Sequence, residues 1–135
     1  MDSAGSLHPQ LKQDTVAICD LALARVLLAD ANYPWLILVP RLPGIVELID
    51  LEENAQIQLL GEIARVARAL KTTTECDKLN IAALGNQVPQ LHVHVIARRR
   101  DDAAWPKPVW GIKPARAYDV SRREALLNAL RALLR

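Results

Sequence analysis

The chain has 135 residues, of which 51% are hydrophobic, and its formal net charge at neutral pH is +2. This length and composition fit one domain over residues 1–135, and the small net charge gives no reason to expect nucleic acid as a partner. No apolar run approaches the roughly 20 residues of a transmembrane helix. The N-terminus has no basic region followed by an apolar one, so we expect no membrane partner and a cytoplasmic location.

The first half of the chain is predicted to contain a short helix, two strands and a long helix. Residues 9–14 are predicted to be helical, since Pro9 is suited to a first helical turn. Residues 19–30 are compatible with a helix or a strand, and we interpret residues 22–29 as a strand. Residues 35–39 (WLILV) are a strand ended by Pro40.

A long helix is then predicted from the capping-box pattern at residues 50–53, and the β-branched run at residues 72–74 is expected to end it. Apolar residues recur along it at helical spacing and form one stripe: Leu59, Leu60, Ile63, Val66, Ala67 and Leu70.

The second half is predicted to contain two strands and a last helix. Residues 78–84 and 90–97 are the strands, joined by a turn at 85–89. Residues 105–111 hold two Trp and two Pro and are predicted to be irregular. A second capping-box pattern at residues 121–124 predicts the last helix, within a C-terminal extension of residues 101–135. Cys19 and Cys76 match no metal-binding spacing and are expected to be buried thiols.

Polar and apolar side chains alternate in the second of these strands. Gln90, His92 and His94 are predicted to share one face of the strand, roughly 6.5–7 Å apart, while the apolar residues between them face the core. Asn86 and Gln87 offer amide donors in the turn just before this row. Hydrogen-bonding side chains aligned in this way suit an extended anionic group.

Residues 90–96 (QLHVHVI) resemble the signature of the histidine-triad (HIT) family, which has three alternating histidines separated by apolar residues. The turn at residues 85–89, the strand at 35–40 and the lead into the long helix at 45–51 resemble the family as well, so that the resemblance covers roughly residues 20–100. Two positions depart from it: Gln90 stands where the family has its first histidine, and Trp35 stands where many members have a further histidine.

The resemblance implies an α+β fold, with an antiparallel β-sheet, a long central helix and a C-terminal helix, in a homodimer. It implies that His92 is the nucleophile, that His94 binds phosphate oxygen or assists the leaving group, and that Asp30 lies at or near the ribose-binding acid. Gln90, Asn86 and Gln87 are then expected to bind phosphate. The expected partner is a small-molecule nucleotide, and no cofactor or metal is required.

The function implied is hydrolysis of nucleotide conjugates at the α-phosphate through a nucleotidyl-histidine intermediate. Dinucleoside polyphosphates, nucleoside phosphoramidates and adenylylated compounds are all consistent substrates. The alternatives are a nucleotidyl transferase and a nucleotide-binding protein with little catalysis. A zinc site at His92 and His94 is a further alternative, but the remaining histidine, His8, lies far away in sequence.

Overall fold

The structure is a computed structural model, and it describes residues 6–135. Its helices and strands in chain order are α1 (Pro9–Asp14), β1 (Val16–Asp20), β2 (Ala24–Leu28), β3 (Trp35–Pro40), α2 (Glu53–Thr74), β4 (Lys78–Ala82), β5 (Val93–Arg98) and α3 (Val120–Leu133). A single 3-10 turn, Leu48–Asp50, precedes α2. Within residues 6–135, no helix has the length and apolar character needed to cross a membrane.

The five strands form one sheet in the order β1-β2-β3-β5-β4, and each neighbouring pair is antiparallel. The long helix α2 packs against β5 and α3, and α3 also packs against β1. The α+β architecture with an antiparallel sheet, a long central helix and a C-terminal helix is therefore confirmed.

The main hydrophobic core lies between the sheet and the two longer helices. Leu91, Val93 and Val95 all belong to it, together with Leu59 and Leu70 of α2. This confirms that the apolar residues of the motif face the core. Because alternate strand residues point to opposite faces, His94 faces away from this core, on the side of the sheet that carries α1.

The start of α2 differs from its prediction. The helix begins at Glu53 with Glu52 at its N-cap, so the capping box predicted from Asp50 is wrong. The carboxylate of Asp50 accepts the backbone N–H groups of Val46 and Glu47 instead, at 3.1 and 2.8 Å. These bonds hold the preceding 3-10 turn, and they lower the pKa of Asp50.

The start of α3 is also displaced. Asp119 is its N-cap and accepts a hydrogen bond from the backbone N–H of Arg122 at 2.9 Å, two residues before the predicted cap at Ser121. In α2, Leu60 belongs to the apolar stripe found in the sequence, yet it is 67% exposed. Cys76 is buried as expected, whereas Cys19 is only partly buried.

The strands differ from their predictions at their ends. β1 was not predicted at all, because its residues carry no clear alternation of apolar and polar side chains. β4 ends at Ala82 and not at residue 84, and β5 begins at Val93. Gln90 and His92 therefore precede the motif strand and do not lie within it.

Arg98 fixes the irregular segment that follows β5. Its side chain is 2% exposed, and its guanidinium donates to both carboxylate oxygens of Asp102 at 2.8 and 3.0 Å and to the carbonyl of Lys107 at 2.8 Å. The rings of Tyr33 and Trp105 lie 5.7 and 5.6 Å from its central carbon. These contacts hold the chain that leads to Trp110, which contributes to the site described next.

Candidate active site

A cavity of about 810 Å³ opens on the face of the sheet opposite α2. Five parts of the chain surround it: α1 and the residues after it, the ends of β2 and β3, the turn at 84–88, the motif histidines and the segment at 110–123. The sequence-predicted site residues that line it are His92, His94, Asn86, Gln87 and Asp30.

His92 is held by a backbone carbonyl. Its Nδ1 lies 2.7 Å from the carbonyl oxygen of Gln90, and the residue is 7% exposed. A carbonyl oxygen only accepts hydrogen bonds, so Nδ1 must carry the proton and donate it. The lone pair is then on Nε2, and this nitrogen can attack an electrophile.

His94 is held in the opposite tautomer. The indole Nε1–H of Trp35 donates to Nδ1 of His94 at 2.9 Å, and indole nitrogen can only donate. The proton of the neutral His94 ring is therefore on Nε2. Burial, and secondarily the proximity of His92, lowers the pKa of His94 to about 4. His94 is consequently a neutral hydrogen-bond donor near neutral pH.

Four aromatic rings form a contiguous cluster at the floor of the cavity. The centroids of His92 and His94 are 4.9 Å apart, and Trp110 meets His94 edge-on at 5.1 Å. Trp35 contacts both His94 and Trp110, at 5.6 and 5.5 Å. Edge-to-face packing of this kind fixes ring orientations, so the two imidazoles are positioned before any ligand binds.

Gln90 does not join the histidine row. Its Nε2 donates to the carbonyl of Ser6 at 2.8 Å, and its Oε1 accepts the backbone N–H of His8 at 2.7 Å. The side chain lies outside the main cavity and lines a smaller one with Ser6 and His8. The expectation of three polar side chains on one face was wrong here, because Gln90 precedes the strand and follows no strand alternation. Its backbone carbonyl is the part that reaches the site.

The turn before the motif lies at the mouth of the cavity. Asn86 and Gln87 are exposed and line the opening. Gly85 has a φ of +75°, a conformation that residues with a side chain rarely adopt. This turn therefore depends on glycine, and its two amides are positioned where they can meet a polar ligand.

Asp30 connects the cavity to the C-terminal segment. Its Oδ1 accepts the backbone N–H of Asn32 at 2.8 Å and that of Arg116 at 3.1 Å. The backbone N–H of Ala31 donates to the carbonyl of Arg116 at 2.8 Å. These bonds place the C-terminal segment directly beside Asp30.

Sequence reasoning missed the residues that the C-terminal segment contributes. Arg116 and Arg123 line the cavity, and within residues 6–135 no other lysine or arginine does so. Tyr118 also lines it, and burial raises the pKa of its hydroxyl to about 12. These residues belong to no motif, so only the folded chain shows that they meet the histidines.

The site offers a nucleophile, a neutral donor and cations around one cavity. Within the described residues, no group of three or more His, Cys, Asp or Glu side chains is arranged to hold a metal ion. The acids that line the cavity are Asp14 and Asp30. The chemistry that these residues favour is attack by His92 on an electrophile that carries negative charge.

Comparison with known proteins gives the following matches. Residues 9–101 match the model of the HIT domain family. Three solved structures of histidine-triad proteins are similar to this chain. The protein from Bradyrhizobium japonicum is 60% identical, covers 98% of this chain and 100% of its own, and has a TM-score of 0.96. The protein from Sinorhizobium meliloti is 41% identical, with 96% of each chain covered and a TM-score of 0.93. The protein from Marinobacter aquaeolei is 41% identical, covers 98% of this chain and 97% of its own, and has a TM-score of 0.94. No curated protein matches the chain.

Proposed function

The chain belongs to the histidine-triad family, whose members are in general nucleotide-binding hydrolases and transferases, and from this premise we propose that it hydrolyses nucleotide conjugates at the α-phosphate. In this reaction Nε2 of His92 attacks the α-phosphorus, the leaving group departs, and water resolves the nucleotidyl-histidine. Gln90 stands in place of the first histidine of the triad and contributes through its carbonyl.

The observation that carries this proposal is the hydrogen bond between Nδ1 of His92 and the carbonyl of Gln90. It leaves the lone pair on Nε2 of a residue that lines the cavity. In the proposed reaction His94 donates from Nε2 to a phosphate oxygen. Asn86 and Gln87 bind further phosphate oxygens. Asp30 accepts a hydrogen bond from the ribose through Oδ2, because its backbone partners donate to Oδ1.

The test is hydrolysis of adenosine and guanosine polyphosphates and phosphoramidates, followed by mass spectrometry of protein quenched without acid. We expect product release and a nucleotidyl adduct on His92. His92→Ala should lose turnover and the adduct while still binding nucleoside monophosphate. His8→Gln is the matched control, because His8 lies outside the cavity and holds Gln90 only through its backbone N–H. Near-normal turnover by His92→Ala would contradict the nucleophile assignment.

The same measurements separate the alternatives. A nucleotidyl transferase would form the adduct but release it faster when a phosphate or sugar phosphate is added as acceptor. A nucleotide-binding protein with little catalysis would bind nucleotide and form no adduct. Elemental analysis of the purified protein tests for zinc.

We also propose a homodimer through the edge strand β4 and the exposed side of α2. Ile81 of β4 pairs with Val95, so it lies on the α2 face of the sheet, and it is 51% exposed. Ile57 and Leu60 of α2 are 63% and 67% exposed. An edge strand and exposed apolar side chains are each typical of an interface. Light scattering should show a dimer that Leu60→Glu dissociates, whereas Val120→Glu, at another exposed apolar position, should not.

Two further expectations belong to this proposal. We propose one domain over residues 1–135 in which the C-terminal extension, residues 101–135, forms one wall of the nucleotide site. We also propose a cytoplasmic location, where nucleotide conjugates are made and where the thiols of Cys19 and Cys76 stay reduced. Fractionation of cells that express the protein tests the location.

A further inference from the structure

Trp35 determines which protonation states His94 can adopt. The indole N–H points at Nδ1 of His94, at 2.9 Å, and has no acceptor capacity of its own. A proton on Nδ1 would set two donors against each other. As long as this hydrogen bond exists, His94 has one available form, which is neutral and carries its proton on Nε2.

The surroundings of His94 favour the same form. The ring is 6% exposed and is enclosed by Trp35 on β3, Trp110 on the C-terminal segment and His92. Burial disfavours the charged imidazolium, and His92 disfavours it further. The other charged groups that line the cavity are Asp14, Asp30, Arg116 and Arg123.

A neutral donor has limited chemistry toward a leaving group. The Nε2–H of His94 can donate a hydrogen bond to a phosphate oxygen. It cannot give that proton away, because imidazolate is far too basic to form near neutral pH, so His94 is not a general acid in this state. The proton on Nδ1 of His92 is bonded to the Gln90 carbonyl and is held on the ring nitrogen that does not attack.

We propose, on the basis of the function proposed above, that Trp35 is a positioning residue that restricts the site to phosphoric anhydrides. In such a substrate the leaving group is a phosphate oxygen. Nucleoside phosphoramidates of alkyl amines are disfavoured, because an amine must be protonated before it leaves. The substrate class is therefore nucleotides joined through P–O–P bonds, of which dinucleoside polyphosphates are the simplest.

The bonding changes distinguish the two substrates. The lone pair on Nε2 of His92 forms the N–P bond, and the electron pair of the broken P–O bond leaves on a phosphate oxygen, which is stable as an anion. With a phosphoramidate the pair would leave on nitrogen, and departure needs a proton that neither motif histidine supplies in these tautomers. In the second step water attacks phosphorus, the P–N bond breaks with its pair returning to Nε2, and the water proton passes to solvent.

The experiment compares kcat/KM for diadenosine triphosphate and for an adenosine phosphoramidate of a primary alkyl amine. We expect wild type to prefer the anhydride by about 100-fold or more, the usual contribution of general acid catalysis. Trp35→Phe keeps an aromatic ring without the N–H donor, so that a proton on Nδ1 of His94 no longer meets an opposing donor. We expect this variant to narrow the preference by about tenfold. Trp110→Phe, which alters a ring contact of His94 and leaves the Trp35 bond in place, should keep the preference.

Nitrogen-15 NMR of histidine-labelled protein reads the tautomer directly. We expect His94 to be the Nε2–H form in wild type over about pH 5–8, and to show mixed tautomers in Trp35→Phe. If Trp35→Phe does not fold, His94→Gln serves as a second variant. A glutamine amide donates N–H and is not protonated near neutral pH. The His94→Gln variant should therefore keep the preference for the anhydride, even if its activity is low.

The outcomes separate this inference from the function on which it rests. Equal cleavage of both substrates, with an adduct on His92 from each, overturns the restriction and leaves the hydrolase proposal standing. An unchanged preference and tautomer in Trp35→Phe overturns the role of Trp35. Absence of any adduct or product from both substrates overturns the proposed function, and the restriction with it.

Discussion

Gln90 and His8 are 82 residues apart in sequence and are joined by a 2.7 Å hydrogen bond from the His8 backbone N–H to the Gln90 side chain. The amide end of the same side chain donates to the carbonyl of Ser6. Gln90 thus ties the chain before α1 to the start of the motif. The side chain of Gln90 is therefore a structural contact that is directed away from the cavity.

This contact predicts the effect of Gln90→His. The sequence alone suggests that a histidine here would change the pH dependence of activity, because an ionisable group would enter the site. The structure gives the opposite expectation, since the side chain lies outside the cavity. We expect an unchanged pH profile and a loss of about 1–2 kcal/mol in the free energy of unfolding, from the broken bonds to Ser6 and His8. Urea unfolding and a pH–rate profile check it, and a shifted profile would show that residue 90 does reach the chemistry.

The second prediction concerns the two faces of the motif strand. Val93 is 5% exposed in the main core, whereas His94 lines the cavity. Val93→Ala should lower the free energy of unfolding by about 1–3 kcal/mol through lost burial and a small cavity. His94→Ala should instead impair nucleotide binding or turnover. Thermal unfolding and nucleotide titration of both variants test this, and the reverse pattern would mean that the histidines are structural.

The third prediction concerns Glu62 on α2, which is 4% exposed. Its two carboxylate oxygens accept the backbone N–H groups of Leu23 and Ala24, at 2.9 and 2.8 Å. Removing the carboxylate would leave donors unsatisfied between α2 and the β1–β2 turn. We expect Glu62→Ala to lower the free energy of unfolding by about 3 kcal/mol. Glu52→Ala should change it little, because Glu52 is an exposed N-cap residue whose side chain makes no capping hydrogen bond. Equal effects of the two variants in urea unfolding would contradict this role.

Some elements of the fold could be predicted from the sequence and others could not. Strand β3 and the core face of the motif were predictable, because apolar runs and strict alternation report burial directly. Helix starts were not, because Asp50 and Ser121 fit a capping pattern while the folded chain uses Glu52 and Asp119. Capping depends on backbone angles that residue types do not fix.

The site was predictable only where residues lie near the motif. His92 and His94 follow from a short pattern, and the carbonyl partner of His92 is two residues away. Arg116 and Arg123 reach the cavity through a segment whose position is set by backbone bonds to Asp30 and Ala31. No local pattern encodes such long-range placement, so these two arginines could not be identified from the sequence.

The fourth prediction tests those arginines. In the part of the chain that the structure describes, no other lysine or arginine lines the cavity. Arg123→Gln should weaken binding of adenosine triphosphate by about fivefold, the range of a partly exposed charge contact, and should leave adenosine binding unchanged. The difference should shrink at high salt. Arg122→Gln is the matched control, because Arg122 is the neighbouring residue and does not line the cavity. Equal losses in the two variants by calorimetry would contradict the role.

The last prediction concerns acid stability and follows from the pKa of His94. Burial, and secondarily His92, lowers this pKa from 6.5 to about 4. An unfolded chain has a histidine that takes up a proton near its ordinary pKa, so between these values the unfolded state binds more protons than the folded state. The free energy of unfolding therefore rises as the pH rises across this window, and it decreases as the pH falls through the same window. Above the ordinary pKa both states are neutral at this residue and the contribution of His94 to the pH dependence vanishes. We expect wild type to lose more stability than His94→Gln when urea unfolding is repeated at about pH 7 and about pH 5, since glutamine does not titrate and all other groups are common to both proteins. If the two proteins lose the same amount, His94 takes up its proton at the same pH in the folded and unfolded states, and neither burial nor the hydrogen bond from Trp35 holds it neutral.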